Sequence, residues 1–261
     1  MSSTEVLVRD AAAVRFITLN RPETKNALTV PVNAAVRQAV EGAPPAGARV
    51  VALTGAGGAF CSGLDLKWAA AEGLDTNTVE ERMRTHFHGL VRALRSCPLP
   101  TVAVVDGVAA GFGCDLALAC DLRLCSDRAR FGEIFVRRGL MPDGGGTWTL
   151  PRLVGLGRAL EMCLTGDMVD AAEAKATGLA NRVFPVAQLE AAATDFLRSL
   201  AAGPPLVHRT VKAAVYAAME SSFDAALEAE VRGQLKLLAS QDFMEGVAAF
   251  LEKRPPHFTG E

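Results

Sequence analysis

The sequence is short of the features that mark several large protein classes. It has no excess of charge of either sign: Lys and Arg number 27, Asp and Glu 29, and the formal net charge is -2. A nucleic-acid partner or an anionic membrane surface is therefore not expected, although a local cationic pocket is still possible. No apolar stretch is long enough to cross a bilayer, because Arg and Asp interrupt each one. The first residues, Met1-Ser2-Ser3-Thr4-Glu5, lack a basic start and a following apolar segment, so no secretory signal is expected. Six cysteines, at 61, 97, 114, 120, 125 and 163, form no C-x-x-C pair. Most sit among apolar residues, which points to buried free thiols in a reducing cytoplasm and away from zinc.

What is present is a chain of 261 residues, half of them hydrophobic, able to bury a substantial core. β-branched runs at Val6-Leu7-Val8, residues 14–19, 49–53, 101–105 and 122–125 predict strands. Residues 32–40 and 78–95 have helical spacing, the second with Val79, Met83, Phe87, Leu90 and Leu94 on one face. From about residue 186 the chain turns Ala-rich, and helices are expected near 186–201, 205–218, 222–239 and 241–252. The order is alternating strands and helices first, then an all-helical tail. The division expected is a core over 1–200 and a helical region over 201–261.

Two glycine-bearing loops repeat one pattern, strand then small residues then helix. The first is Ala59-Phe60-Cys61-Ser62-Gly63-Leu64-Asp65-Leu66; the second is Gly107-Val108-Ala109-Ala110-Gly111-Phe112-Gly113-Cys114-Asp115. Small residues let main-chain N–H groups approach a ligand, and free N–H groups at a helix start favour a negative oxygen. Two such loops facing each other would form an oxyanion hole. Each alone reads more readily as a close-packed turn, since glycine loops after strands are common. The stretch Gly55-Ala56-Gly57-Gly58-Ala59-Phe60 falls short of a dinucleotide fingerprint: Phe60 stands where a small residue is needed, and Asp75 lies in a loop. A third segment, Phe131 to Thr147, places Asp143 between Pro142 and three glycines. By itself that setting favours a helix cap or turn residue over a proton shuttle.

Taken in order, these segments resemble the enoyl-CoA hydratase/isomerase (crotonase) superfamily. The resemblance rests on Asn20-Arg21-Pro22 with Asn26-Ala27-Leu28, on both glycine loops, on Ala119-Cys120-Asp121-Leu122, on Gly139-Leu140-Met141-Pro142-Asp143-Gly144-Gly145-Gly146-Thr147, on Leu150-Pro151-Arg152-Leu153-Val154-Gly155, and on residues 171–174 and 178–183. It covers nearly the whole chain. It implies an α/β fold, a crotonase-like spiral of ββα turns followed by a C-terminal helical region used for trimer formation. It further implies an acyl-CoA thioester as substrate, a homotrimer or a dimer of trimers, and no cofactor besides the coenzyme A that the substrate carries.

By the same resemblance, the N–H groups of Leu64 and Phe112 are the oxyanion donors. Lys25, Ala27, the loop Ala59, Ser62, Gly63, Asp65 and Leu66, and the tail residues Phe250 and Lys253 would meet coenzyme A. Of the two glutamates used by well-known hydratases, the first position holds Asp115 and the second holds Phe135, which cannot transfer a proton. Asp143 occupies the position of an acid used by isomerase and dehalogenase branches. Asp143 and Asp115 are thus the catalytic candidates, with Trp68 and Phe135 as pocket walls. Glu133 is expected to be an exposed glutamate at a helix start. His86 and His88 are expected on different faces of a helix, with no metal between them. Double-bond isomerisation is favoured over hydration led by Asp115; a non-catalytic acyl-CoA binder and a nicotinamide oxidoreductase are the competing functions.

Overall fold

The β-branched runs do form strands, and their two-residue alternation sets the two faces of the main sheet. The computed structural model describes residues 4–73 and 75–261. The chain opens with β1 (Val6–Ala11), β2 (Val14–Leu19), α1 (Val30–Glu41), β3 (Val50–Gly55), α2 (Leu66–Glu72) and α3 (Thr76–Arg82). A π-helical turn at Met83–Phe87 joins α3 to α4 (His88–Ser96) without a break. Then come β4 (Thr101–Val105), β5 (Val108–Ala110), α5 (Phe112–Ala119), β6 (Leu122–Ser126) and β7 (Arg130–Gly132). A 3-10 helix at Ile134–Arg138 precedes α6 (Gly146–Val154), α7 (Leu156–Thr165), β8 (Val169–Asp170), α8 (Ala171–Ala176) and β9 (Arg182–Phe184). Four helices finish the chain: α9 (Val186–Ala202), α10 (Pro205–Ala218), α11 (Phe223–Leu238) and α12 (Gln241–Glu252).

The strands make two sheets. The larger runs β1-β2-β3-β4-β6-β9, parallel except for the β1–β2 hairpin; the smaller runs β5-β7-β8. From β4 the chain turns directly into β5, and from β6 into β7, so each winding lays one strand in each sheet. This is the spiral of ββα turns that the resemblance implies. Ile17, Leu19, Val51, Leu53, Ala103 and Val105 face a core shared with α1, α4 and α5. Val14, Val50, Ala52, Val102 and Leu124 face the other way, onto Ala193, Leu197 and Ala201 of α9. A parallel sheet covered on both faces reads as unbroken apolar runs, as these strands do.

The helical tail matches the expected spans to within a residue or two. α9 lies on the sheet and ends just past the expected 200/201 division. α10 is tied to the core by Asp121, whose carboxylate accepts from Tyr216 Oη at 2.7 Å, from Lys212 Nζ at 2.8 Å and from Thr101 N–H at 2.7 Å. Beyond that anchor, α10 to α12 leave many apolar side chains in solvent, among them Val215, Val231, Leu235 and Phe250. No helix among the described residues is long and apolar enough to cross a membrane.

Candidate active site

The first loop is held from below by Asn26. Its Nδ2 donates to the main-chain oxygens of Ala56 and Ala59, at 2.9 and 2.8 Å, and its Oδ1 accepts from Arg21 N–H at 2.9 Å. Leu28 N–H then donates to Gly63 O, and Asp65 N–H to Leu28 O, at 2.8 and 2.9 Å. Successive main-chain groups of an extended segment point to alternate sides, so Leu64 N–H faces away from Leu28. It has no protein acceptor among the described residues. Asp65 caps α2, accepting from Trp68 N–H at 3.0 Å, and pairs with Arg21 at 2.9 Å.

Phe112 is the first residue of α5, so its N–H is one of the donors a helix leaves unpaired. It too lacks a protein acceptor among the described residues. The two loops meet at Gly63. Its φ is +95°, and a Cβ there would stand 2.8 Å from Ala110 O and 3.3 Å from Phe112 N. Only glycine permits that approach.

A cavity of about 520 Å3 opens beside these two amides. Ser62, Gly63, Leu64, Leu66, Gly111 and Phe112 line it on the loop side. Trp68, Val79, Met83, Phe87 and Phe135 supply an apolar wall. The π-helical turn presents Met83 and Phe87 to the cavity, while Leu90 and Leu94 of the following helix are fully buried in the core. The five residues expected on one face thus divide between cavity and interior.

Asp143 is the carboxylate that lines this cavity. It caps no helix; Gly145 holds that position before α6. Its Oδ1 is buried without a hydrogen-bond partner among the described residues. Burial raises its pKa to about 6, against a smaller downward pull from the charge of His88. His88 Nε2 lies 2.8 Å from the main-chain oxygen of Asp143. The spacing of His86 and His88 gave no hint of this contact, whose partner is far away in sequence.

Asp115 and Glu133 are buried and do not line the cavity. Asp115, inside α5 and 1% exposed, accepts from Gly144 N–H at 2.8 Å and so fastens the loop that carries Asp143. Glu133 corrects the sequence expectation in part: it does stand at a helix start, at the N-cap of the 3-10 helix, but it is fully buried instead of exposed. β7 carries it inward, and the glycines after Asp143 leave room for it. A Cβ on Gly146 would stand 2.4 Å from Asp115 Oδ1 and 3.2 Å from Glu133 Oε1. Burial, joined by the neighbouring carboxylates, raises the pKa values of both acids. Asp115 Oδ1 and both Glu133 oxygens lack a hydrogen-bond partner among the described residues.

Of the remaining candidates, Lys25, Ala27 and Ala59 do not line the cavity: Lys25 is exposed, and Ala27 and Ala59 are buried. Ser62 does line it, and its Oγ donates to Thr24 O at 2.9 Å. Phe250, 82% exposed, and Lys253 are at the end of α12 and do not line the cavity of their own chain.

Comparison with known proteins agrees with this architecture. The family model described as enoyl-CoA hydratase/isomerase matches residues 9–261. A Rhodobacter capsulatus protein named probable enoyl-CoA hydratase is 47% identical over 247 residues, 94% of this chain and 93% of that protein. The 1,2-epoxyphenylacetyl-CoA isomerase of Escherichia coli is 36% identical over 253 residues, 95% of each chain. The crystal structure of an enoyl-CoA hydratase from Bacillus anthracis superposes with a TM-score of 0.94 at 33% identity, covering 98% of this chain and 100% of that one. The spiral fold, the paired glycine loops and these relatives together place the chain in the enoyl-CoA hydratase/isomerase family.

Proposed function

We propose that this protein forms the enolate of an acyl-coenzyme A thioester and moves a double bond along the acyl chain, with Asp143 carrying the proton. The observation that carries this reading is the position of Asp143: it shares one apolar cavity with Leu64 and Phe112, whereas Asp115 does not line that cavity. In this reading the thioester oxygen accepts from Leu64 N–H and Phe112 N–H, and the N-terminus of α5 adds its positive end. Asp143 in its carboxylate form removes a proton from one carbon of the acyl chain. The electron pair spreads onto the thioester oxygen. The protonated acid then returns the same proton to a different carbon, so no water is consumed. A pKa raised to about 6 suits a group that must both take and give a proton near neutral pH.

Coenzyme A would lie along Lys25, Ala27 and the 59–66 loop, with Lys25 able to meet a phosphate. Phe250 and Lys253 would reach the coenzyme held by a neighbouring subunit. Burying the exposed apolar faces of α10 to α12 in a trimer, or in a pair of trimers, would satisfy them. The six unpaired cysteines agree with work in the cytoplasm.

Hydration is the second reading, and the hydratase names among the relatives favour it. There Asp115 would lead, although Phe135 leaves the second acid position without a proton donor. Substitution Asp143→Asn separates the two. Isomerisation and exchange of the acyl proton into deuterated water should fall by about 10²-fold to 10⁴-fold, while hydration led by Asp115 would persist. Full isomerase turnover in that variant would end the proposal. Tight acyl-CoA binding by calorimetry, with no exchange in the unaltered protein, would leave a binding function alone.

A further inference from the structure

Two arginines reach a cavity that is otherwise almost wholly apolar, Arg82 and Arg138. Arg82 is already committed. Its guanidinium donates to the main-chain oxygens of Glu72 and Gly73, at 2.8 and 2.9 Å, and stands 3.8 Å from the Glu72 carboxylate. It also lies 5.4 Å from the centre of the Trp68 ring. Arg138 has no such ties. Among the described residues it donates to no oxygen, pairs with no carboxylate and stacks on no ring. Its neighbour Arg137, by contrast, reaches Asp167 at 3.4 Å.

The backbone explains why Arg138 faces the cavity. In the 3-10 helix Ile134–Arg138, side chains three residues apart eclipse one another. Phe135 and Arg138 therefore share a face, and both line the cavity. The Phe135 ring lies against the second oxyanion loop, where a Cβ on Gly111 would be 3.9 Å from its Cζ. One turn of 3-10 helix rises about 6 Å. A chain leaving the oxyanion amides would pass over the Phe135 ring and meet a guanidinium at the exposed rim. A methyl-ended chain would gain nothing from that charge and would cost it some of its water. A carboxylate would pair with it through two parallel N–H bonds.

We propose that the pocket selects acyl-coenzyme A thioesters whose acyl group ends in a carboxylate, and that Arg138 is the residue that selects them. The proposal rests on the acyl-CoA reading above and goes further, naming the substrate class.

The test compares adipyl-CoA with hexanoyl-CoA, matched in length, on the full-length protein. Binding is measured by calorimetry and proton exchange is followed in deuterated water. Adipyl-CoA should bind more tightly. Arg138→Ala should cut that preference about tenfold or more, a difference of about 1.4 kcal/mol. Arg138→Lys should retain part of it, because an ammonium pairs without the planar fork. Raising the salt concentration should also shrink it. An equal preference in wild type and Arg138→Ala overturns the proposal. So does an equal weakening of both ligands, which would assign Arg138 to the coenzyme. Absence of exchange with either thioester, alongside a binding preference that Arg138→Ala still removes, would sink the enolate chemistry and leave the selection intact. Arg138 is exposed, so its replacement should not disturb folding, and thermal unfolding checks this.

Discussion

His88 and Asp143, 55 residues apart in sequence, are joined by an imidazole nitrogen 2.8 Å from a main-chain oxygen. A carbonyl only accepts, so in the neutral ring Nε2 carries the hydrogen. The contact pins the strand of chain that carries the proposed proton carrier to the helix beside the cavity. His88→Ala should lower the turnover of acyl-proton exchange by roughly 10-fold to 10²-fold, as a displacement near 1 Å does, with KM little changed. His88→Gln should recover part of this, because its amide can donate to the same oxygen. Steady-state exchange rates on the three proteins decide it. Equal losses in both variants would mean that the ring's bulk matters and its hydrogen bond does not.

Burial sets the pH dependence of Asp143 by raising its pKa to about 6. A base works ionised, so kcat/KM should be half-maximal near pH 6, level above it and falling below it. The His88 charge draws the same group down. His88→Gln should therefore move the acid limb toward higher pH. A pH–rate profile of both proteins, with a limb that stays fixed or moves downward, would contradict this assignment.

The elements were legible where their signal is local. Helices α9 to α12 carry their own boundaries in Gly203-Pro204-Pro205, Ser222 and Ser240, and the last two accept from the N–H three residues on. The glycine loops were legible because close main-chain approach demands small residues, and Gly63 shows that demand directly. Glu133 was misjudged because its burial is decided by β7 and by the glycines at 144–146, segments with no local mark of contact. Three consecutive glycines beside an acid were the one available clue that something bulky sits behind them. Arg138 could have been found from a 3-10 spacing to Phe135, but nothing local distinguishes that turn from an ordinary helical start.

Glu133 makes a stability prediction of a definite sign. Its folded pKa is raised by burial, above that of the unfolded chain. The folded state then holds the proton longer, so stability is fullest below the unfolded value and declines as pH rises toward the folded value. Glu133→Gln removes that titration. At pH 8 the variant should be more stable than wild type, because the unfolded wild type gains free energy by ionising and the amide does not, and the gap should close toward pH 4. Thermal unfolding at several pH values measures it; a gap that widens in acid would reverse the assignment.

The tail helices predict an assembly. Val231 and Leu235 of α11 lie on adjacent turns and are 52% and 63% exposed. Wild type should sediment as a multiple of three chains of 27.4 kDa. Replacing both residues by Glu should yield a smaller species, because two desolvated charges oppose the contact. An unchanged sedimentation coefficient would place the interface elsewhere.

The extra residue in the π-helical turn Met83–Phe87 has an evolutionary consequence. A π turn accommodates one more residue than an α turn over nearly the same rotation, so deleting a single codon there would restore ordinary winding with the helices on either side keeping their present facing. Val79 and Arg82 would still look toward the cavity and Leu90 and Leu94 toward the core, and the change would be confined to the wall at the turn itself. Descendants of such a gene could therefore reshape that wall through one in-frame loss without having to re-evolve a stable fold.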